Sequence, residues 1–424
     1  MARRRTAQHP AAQRSAPQSS AAPRPAPRPS ASRRRSTAEQ LRWALAADVC
    51  ALVRRSPGIT RAQVARELRI STGTAADLVT KMRRAAVLTE GEPVPHGRGR
   101  PTSALTAHPR GPLIIAVEIT ATGWRMVSAG LDGRLTVVAR APHRGRGPAD
   151  VLAPIRAAVT AEAGARAGRV RAVSVAAAAT VRDGSVVQSS VLDWDRVSLA
   201  PLRAPGAALL VANDATCEAL AESRRGASRG ARAALHLTVL TGVGGGLVLD
   251  GAPVLGATGL AMEVGHLPLG DPRALCNCGA RGCWDTVLGA GPLAKSLGAD
   301  DDSPSAVEAA IVRGEGARRP ALAAAAASLG RGLAGLINVT DPDLVTLGGL
   351  GPLLRSHCPE AFEEALTGGL MRCLREDRPR IASGELGADA ALVGAVETAL
   401  DEAAGPAGLA AWAERAGPGR NLGA

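Results

Sequence analysis

Lysine is almost missing from this chain: it occurs only at Lys81 and Lys295, so the basic character rests on arginine. Alongside the many alanines and glycines, that bias reflects genomic base composition rather than a functional demand. The N-terminus is rich in Arg and Pro and has no apolar core of a secretory leader, an expectation against export. The longest uncharged stretch, residues 233–249, is broken by four glycines, which argues against a membrane span. The seven cysteines form no regular framework. That fits a reducing cytoplasm, where clustered cysteines point to a metal rather than to disulfides. Finally, residues 1–36 hold nine arginines and no acid.

What is present begins with the placing of charge. The 424 residues, enough for two or three domains, carry a net +13. Residues 37–104 add eleven basic and six acidic residues, so the basic excess belongs to the first quarter and the rest is near neutral. A basic module on a neutral body suits a polyanion such as DNA. Residues 1–36, with "PRPAPRPS", lack large apolar groups and are expected to be a disordered tail.

Residues 37–107 read as a winged helix-turn-helix domain. "TAEQLRWALAADVCALVRRS" places Leu41, Leu45, Val49, Leu52 and Val53 at helical spacing. "SPGI" breaks that helix, a second begins after Thr60, and a third after Ser71. Ala62, Val64, Ala65, Leu68, Ala75, Leu78, Val79 and Met82 form the expected core of the pair. On the third helix Thr72, Gly73, Thr74 and Asp77 offer a small, polar leading face for a major groove, with Lys81, Arg83 and Arg84 further along toward phosphates. In the expected wing, Arg98 and Arg100 flank Gly99, a compact tip for a minor groove. A protein-binding helical module is the competing reading.

From Leu113 onward strands alternate with helices, which predicts an α/β body of two mixed-sheet lobes around a cleft. Within it, Cys276, Cys278 and Cys283 follow His266 in a C-x-C-x4-C pattern. A Cys3His set suits a closed, structural tetrahedral zinc site. Residues 403–424 are expected to be a C-terminal tail.

Several segments in shared order carry a resemblance: "VANDATCEALAE", "TGVGGGLVLDGAPVLGATGLAMEVGHLPL", "CNCGARGCWD", "LGRGLAGLINVTDPDLVTLGG" and the linker "GRGRPTSAL". Together they resemble the ROK family of repressors, open reading frames and sugar kinases, in its winged-helix regulator branch. The resemblance implies an actin-like, ribonuclease-H-like sugar-kinase fold over 108–402. It implies sugar contacts at Asn213, Asp214, Glu263, His266 and Asp285, the last replacing a usual Glu. It assigns zinc to His266, Cys276, Cys278 and Cys283, and makes Asp214 the catalytic base if the chain is a kinase.

The same resemblance points to a degenerate nucleotide site. Relatives carry Asp-x-Gly-Gly-Thr at the end of the first strand, where this chain has Glu118, Thr120, Ala121 and Thr122. A Cβ obstructs a backbone turn that must approach phosphate. Gly242, Gly244, Gly348 and Gly349 remain, but packing also needs them. ATP and Mg2+ are therefore not expected as cofactors. "AAAAT" at residues 176–180 and Val191 also replace usual sugar-side residues. The implied function is a cytoplasmic regulator, a repressor of sugar uptake or metabolism genes. It would bind a double-stranded operator as a homodimer or homotetramer, answer to a sugar or sugar phosphate, and need no membrane. The alternatives are an ATP-dependent sugar kinase that kept its winged helix, and a ligand-independent DNA-binding protein.

Overall fold

The computed structural model describes residues 37–94, 102–143, 147–314 and 316–415. The Arg-rich segment 1–36 and the expected wing residues Arg98 and Arg100 lie outside the described residues. The N-terminal module is α1 (Thr37–Arg55), α2 (Arg61–Glu67), α3 (Thr72–Arg84) and an antiparallel hairpin, β1 (Leu88–Val94) with β2 (Thr102–Ala107). Local chemistry sets the helix starts. Thr60 and Gln63 form a reciprocal capping box on α2, and the Ser71 hydroxyl accepts from the Thr74 amide at the start of α3. Val64, Ala65, Ala75, Leu78, Val79 and Met82 are buried as expected. Ala62 and Leu41 are exposed instead. Ala62 lies about 200° around the helix from Val64, and Leu41 precedes the stretch of α1 that the body covers.

The first lobe comprises β3 (Leu113–Ile119), β4 (Gly123–Ala129), β5 (Leu135–Pro142), α4 (Pro148–Ala165), β6 (Val170–Ala177), β7 (Thr180–Arg182), β8 (Ser185–Ser189), β9 (Trp194–Ser198) and β10 (Ala208–Asn213). Its main sheet runs β10-β6-β3-β4-β5, with β10, β6 and β3 parallel, and β7–β9 form a small side sheet. The largely apolar run over residues 170–181 is divided at Ala178 and Ala179, which turn β6 into β7. Helix α5 (Asp214–Arg225) follows β10 directly and packs on both lobes' elements.

The second lobe begins with β11 (Ala233–Val239), β12 (Val243–Leu249) and β13 (Ala252–Pro253), followed by α6 (Asp285–Leu288), α7 (Ala290–Leu297) and α8 (Pro304–Val312). It continues through α9 (Arg319–Thr340), β14 (Leu344–Gly349), α10 (Gly351–His357), α11 (Pro359–Gly369), α12 (Arg372–Glu376) and β15 (Arg380–Ser383). Its sheet runs β13-β12-β11-β14-β15. Gly244, Gly245 and Gly246 lie in β12 rather than in a turn. A Cβ on Gly246 would fall 2.5 Å from that of Ala219, and one on Gly244 2.6 Å from that of Ala215. These glycines let α5 seat directly on the sheet. The segment Gly316–Thr340 is long and apolar enough to cross a membrane. Its side chains Leu322, Leu329, Leu333 and Ile337 are packed in the second lobe's core.

Two final helices return to the first lobe. Helix α13 (Ala390–Ala403) packs on β3 and β6, and α14 (Pro406–Arg415) packs on α1. Residues 406–415, expected to be tail, are therefore an ordered helix, because Leu409, Ala410 and Trp412 have a buried face to join. One hydrophobic core runs through α1, α3, β3, β6, α13 and α14, so the N-terminal module and the first lobe share their interior.

Candidate functional site

A cleft of about 130 Å3 opens between the two sheets, lined by residues from both lobes. The ends of β10 and β3 meet there, and the β10–α5 junction brings in Asn213 and Asp214. Asn213 caps α5: its Oδ1 accepts from the Thr216 amide at 3.1 Å, and its Nδ2 donates to the Ala179 carbonyl at 3.2 Å. Asp214 Oδ1 accepts from the Ala215 amide at 2.9 Å. Burial, and then the Glu218 carboxylate, push the Asp214 carboxyl well above its ordinary range. Glu263, His266 and Asp285 complete the set expected to face a sugar, and all five line the cleft. Burial raises the Glu263 carboxyl, against a hydrogen bond from Thr180. Asp285 Oδ1 accepts from the Val243 amide at 2.8 Å, so the shorter side chain is held by backbone.

The turn from Thr120 to Gly123 is closed on itself. Thr120 donates its amide to the Gly123 carbonyl at 2.9 Å and its hydroxyl to the same oxygen at 3.1 Å, and the Thr122 amide donates back to Thr120 Oγ1 at 3.4 Å. Glu118, 6 % exposed, pairs across the hairpin with Arg125 Nε at 2.7 Å. Burial raises the Glu118 carboxyl even so. Arg125 also reaches Asp389 at 2.7 Å and the Ala388 carbonyl, just ahead of α13. The glycines kept from the resemblance answer to packing. A Cβ on Gly348 would sit 3.0–3.1 Å from Thr238 and the His236 ring, one on Gly242 3.2 Å from Asp285, and Gly349 has a φ of +55°.

Sequence reasoning missed four residues here: Arg125, Glu218, His236 and Thr238. Glu218 carried a signal, since i, i+4 spacing on α5 puts it on the face of Asp214. The others depend on strand register across elements far apart in the chain. His236 is 2 % exposed, with Nε2 2.9 Å from Glu218 Oε2 and Nδ1 2.8 Å from Thr346 Oγ1.

Beside the cleft, His266, Cys276, Cys278 and Cys283 bring their ligand atoms within 4.8 Å of one another. Cys278 Sγ lies 3.6 Å from Cys283 Sγ, and Cys276 Sγ 3.9 Å from His266 Nδ1. A tetrahedral ion with bonds of about 2.0–2.3 Å sets its ligands roughly 3.5–3.8 Å apart. The four could hold one metal ion. Burial, followed by the neighbouring thiols, pushes the Cys283 thiol up to about 12, a state that a cation would reverse.

The expected DNA-facing residues Thr72, Gly73, Thr74 and Asp77 are exposed on α3, as are Arg83 and Arg84. Two of the cations are engaged within the module. Lys81 Nζ meets Asp77 at 2.5 Å, and Arg83 meets Glu90 on β1 at 2.8 Å.

Residues 114–402 match the sequence profile of the ROK family. The bifunctional enzyme NanE/NanK of Brucella suis is 35% identical over 194 residues, which is 46% of this chain and 35% of that enzyme, so the match spans about a third of that relative. A glucokinase of Streptomyces coelicolor is 27% identical over 324 residues, covering 68% of this chain and 98% of the glucokinase. Among solved structures, a ROK-family transcriptional regulator, a homologue of the E. coli MLC protein, superimposes with a TM-score of 0.71 at 20% identity. That likeness covers 89% of this chain and 100% of the other. With its two-lobed body, its cleft residues and the matched profile, the chain belongs to the ROK family.

Proposed function

We propose that this chain is a transcriptional regulator, a cytoplasmic repressor whose DNA affinity is set by a sugar or sugar phosphate in the cleft. We read α1–α3 with β1–β2 as a winged helix-turn-helix, with α3 as the recognition helix and Arg84, without an ion-pair partner among the described residues, as a phosphate contact. The observation that carries the proposal is the shared interior of module and first lobe, which couples any change of lobe position to the presentation of α3. A homodimer or homotetramer would present paired helices to a two-fold operator. Zinc is the metal best suited to His266, Cys276, Cys278 and Cys283, bracing the His266 wall of the cleft. Elemental analysis of purified protein is expected to find about one zinc per chain; none would remove this part.

A ligand acts only through its differential affinity for two states of the protein. Here the clasp from Arg125 to Asp389 joins the cleft floor to the start of α13, α13 packs on α14, and α14 packs on α1. Selection of sheared genomic DNA on the purified protein tests the reading. Enrichment of one two-fold-symmetric site, released by a sugar, is expected; uniform retention would overturn it. A kinase reading has one observation in its favour, the perturbed Asp214 carboxyl beside Asn213. Sugar-dependent ATP turnover abolished by Asp214→Asn would replace the regulator reading with that one.

A further inference from the structure

The cleft has a charge imbalance that narrows its ligand. Five carboxylates line it, those of Glu118, Asp214, Glu218, Glu263 and Asp285, and no lysine or arginine is among its lining residues. The nearby guanidinium of Arg125 is committed to Glu118, Asp389 and the Ala388 carbonyl. Glu218 is fixed from behind by His236, itself anchored on Thr346, so its carboxylate is held in the wall. Thr238 lines the same cavity, 5 % exposed, and its Oγ1 has no hydrogen-bond partner among the described residues. A buried hydroxyl left without a partner is unfavourable, so this one points to a polar ligand group or a water.

A phosphate ester fits this cleft poorly. Phosphate sites draw on arginine, lysine or free amides at a helix start. Helix α5 does begin here, but Asn213 and Asp214 already accept from the amides of Thr216 and Ala215. Among the described residues, four of the five carboxylates have no lysine or arginine paired with them; the His236 imidazole lies behind Glu218 and the His266 imidazole near Asp285.

We infer that the cleft takes a sugar that bears a protonated amino group and no phosphate, with the ammonium set among Asp214, Glu218 and Glu118. This rests on the reading of the cleft as a sugar site. An ammonium there would relieve the repulsion among the carboxylates and let Asp214 ionise, so binding releases protons.

Isothermal titration of the full chain at neutral pH tests it. The panel is glucose, its 2-, 3- and 6-amino-deoxy analogues, the N-acetyl derivative of the best of these, and glucose 6-phosphate. At least one free amine is expected to bind about tenfold or more tighter than glucose. N-acetylation is expected to abolish the advantage, and the phosphate to bind more weakly than glucose. Heats measured in two buffers of different ionisation enthalpy should report the proton release. Glu218→Gln is expected to cut the ratio of amine to glucose affinity about threefold or more; if that variant does not fold by circular dichroism, Glu118→Gln takes its place. Glucose binding with no amine advantage, or glucose 6-phosphate binding as tightly as glucose, overturns this inference alone. Failure of every sugar to bind overturns the sugar reading beneath it.

Discussion

Asp214 is a residue whose place in the cleft works against its own charge. Its carboxyl is raised by burial and by Glu218, so the folded state holds the proton that the unfolded chain releases. Below the unfolded value, about 3.9, both states are protonated and no penalty arises. As pH rises above it, the penalty grows until the folded group also ionises. Asp214→Asn should therefore stabilise the protein at pH 7, with a gain that shrinks toward zero as pH falls to about 4. Urea unfolding at the two pH values reads this, and an equal gain at both would contradict the shift. At this scale the sequence was informative where chemistry is local. The spacing of His266, Cys276, Cys278 and Cys283 pointed to one cluster, and those atoms do converge. It was silent on His236 and Thr238, because a residue's neighbours across a sheet are fixed by register, and register is set by packing elsewhere.

Among the elements, α5 and α14 show opposite limits of legibility. The run of Asn213 and Asp214 into "ATCEALAESRR" announces a capped helix, and its close seat on β12 explains why Gly244 and Gly246 stand in that strand, while Gly245 faces Val264 on the other side. Helix α14 was hidden, since ten residues with few large apolar groups, flanked by Gly and Pro, resemble a tail. What holds it is Trp412, 2 % exposed, whose Nε1 donates to the Ala85 carbonyl at 2.7 Å. Trp412→Ala is expected to cost about 3–5 kcal/mol, as for other buried aromatics. Hydrogen exchange should then quicken in α1 and at the end of α3. Unchanged exchange in α1 would mean that α14 does not support the N-terminal module.

For the whole molecule, the polar contacts that tie β4 to the segment ahead of α13 have unequal worth. Arg125 bridges buried Glu118 and exposed Asp389. Removing the exposed partner loses a surface pair worth under about 1 kcal/mol. Removing the arginine strands a buried carboxylate, at about 1–3 kcal/mol. Arg125→Ala should accordingly destabilise more than Asp389→Ala in denaturant titrations, and the reverse order would show that Glu118 finds another partner. The two-lobed architecture was foreseeable from the alternation of strands and helices. That the first and last described helices pack on each other was not, and neither was the bond from Trp412 to Ala85, 327 residues away, because no local pattern encodes contacts at such separation.

That long-range contact also orders events during synthesis. When α1–α3 leave the ribosome, the surfaces that cover them, α13 and α14, have not yet been translated. The nascent N-terminal helices must wait with an incompletely covered apolar face, open to chaperones or to each other on neighbouring chains. The N-terminal module, made before α13 and α14, is thus among the last parts to reach its final packing.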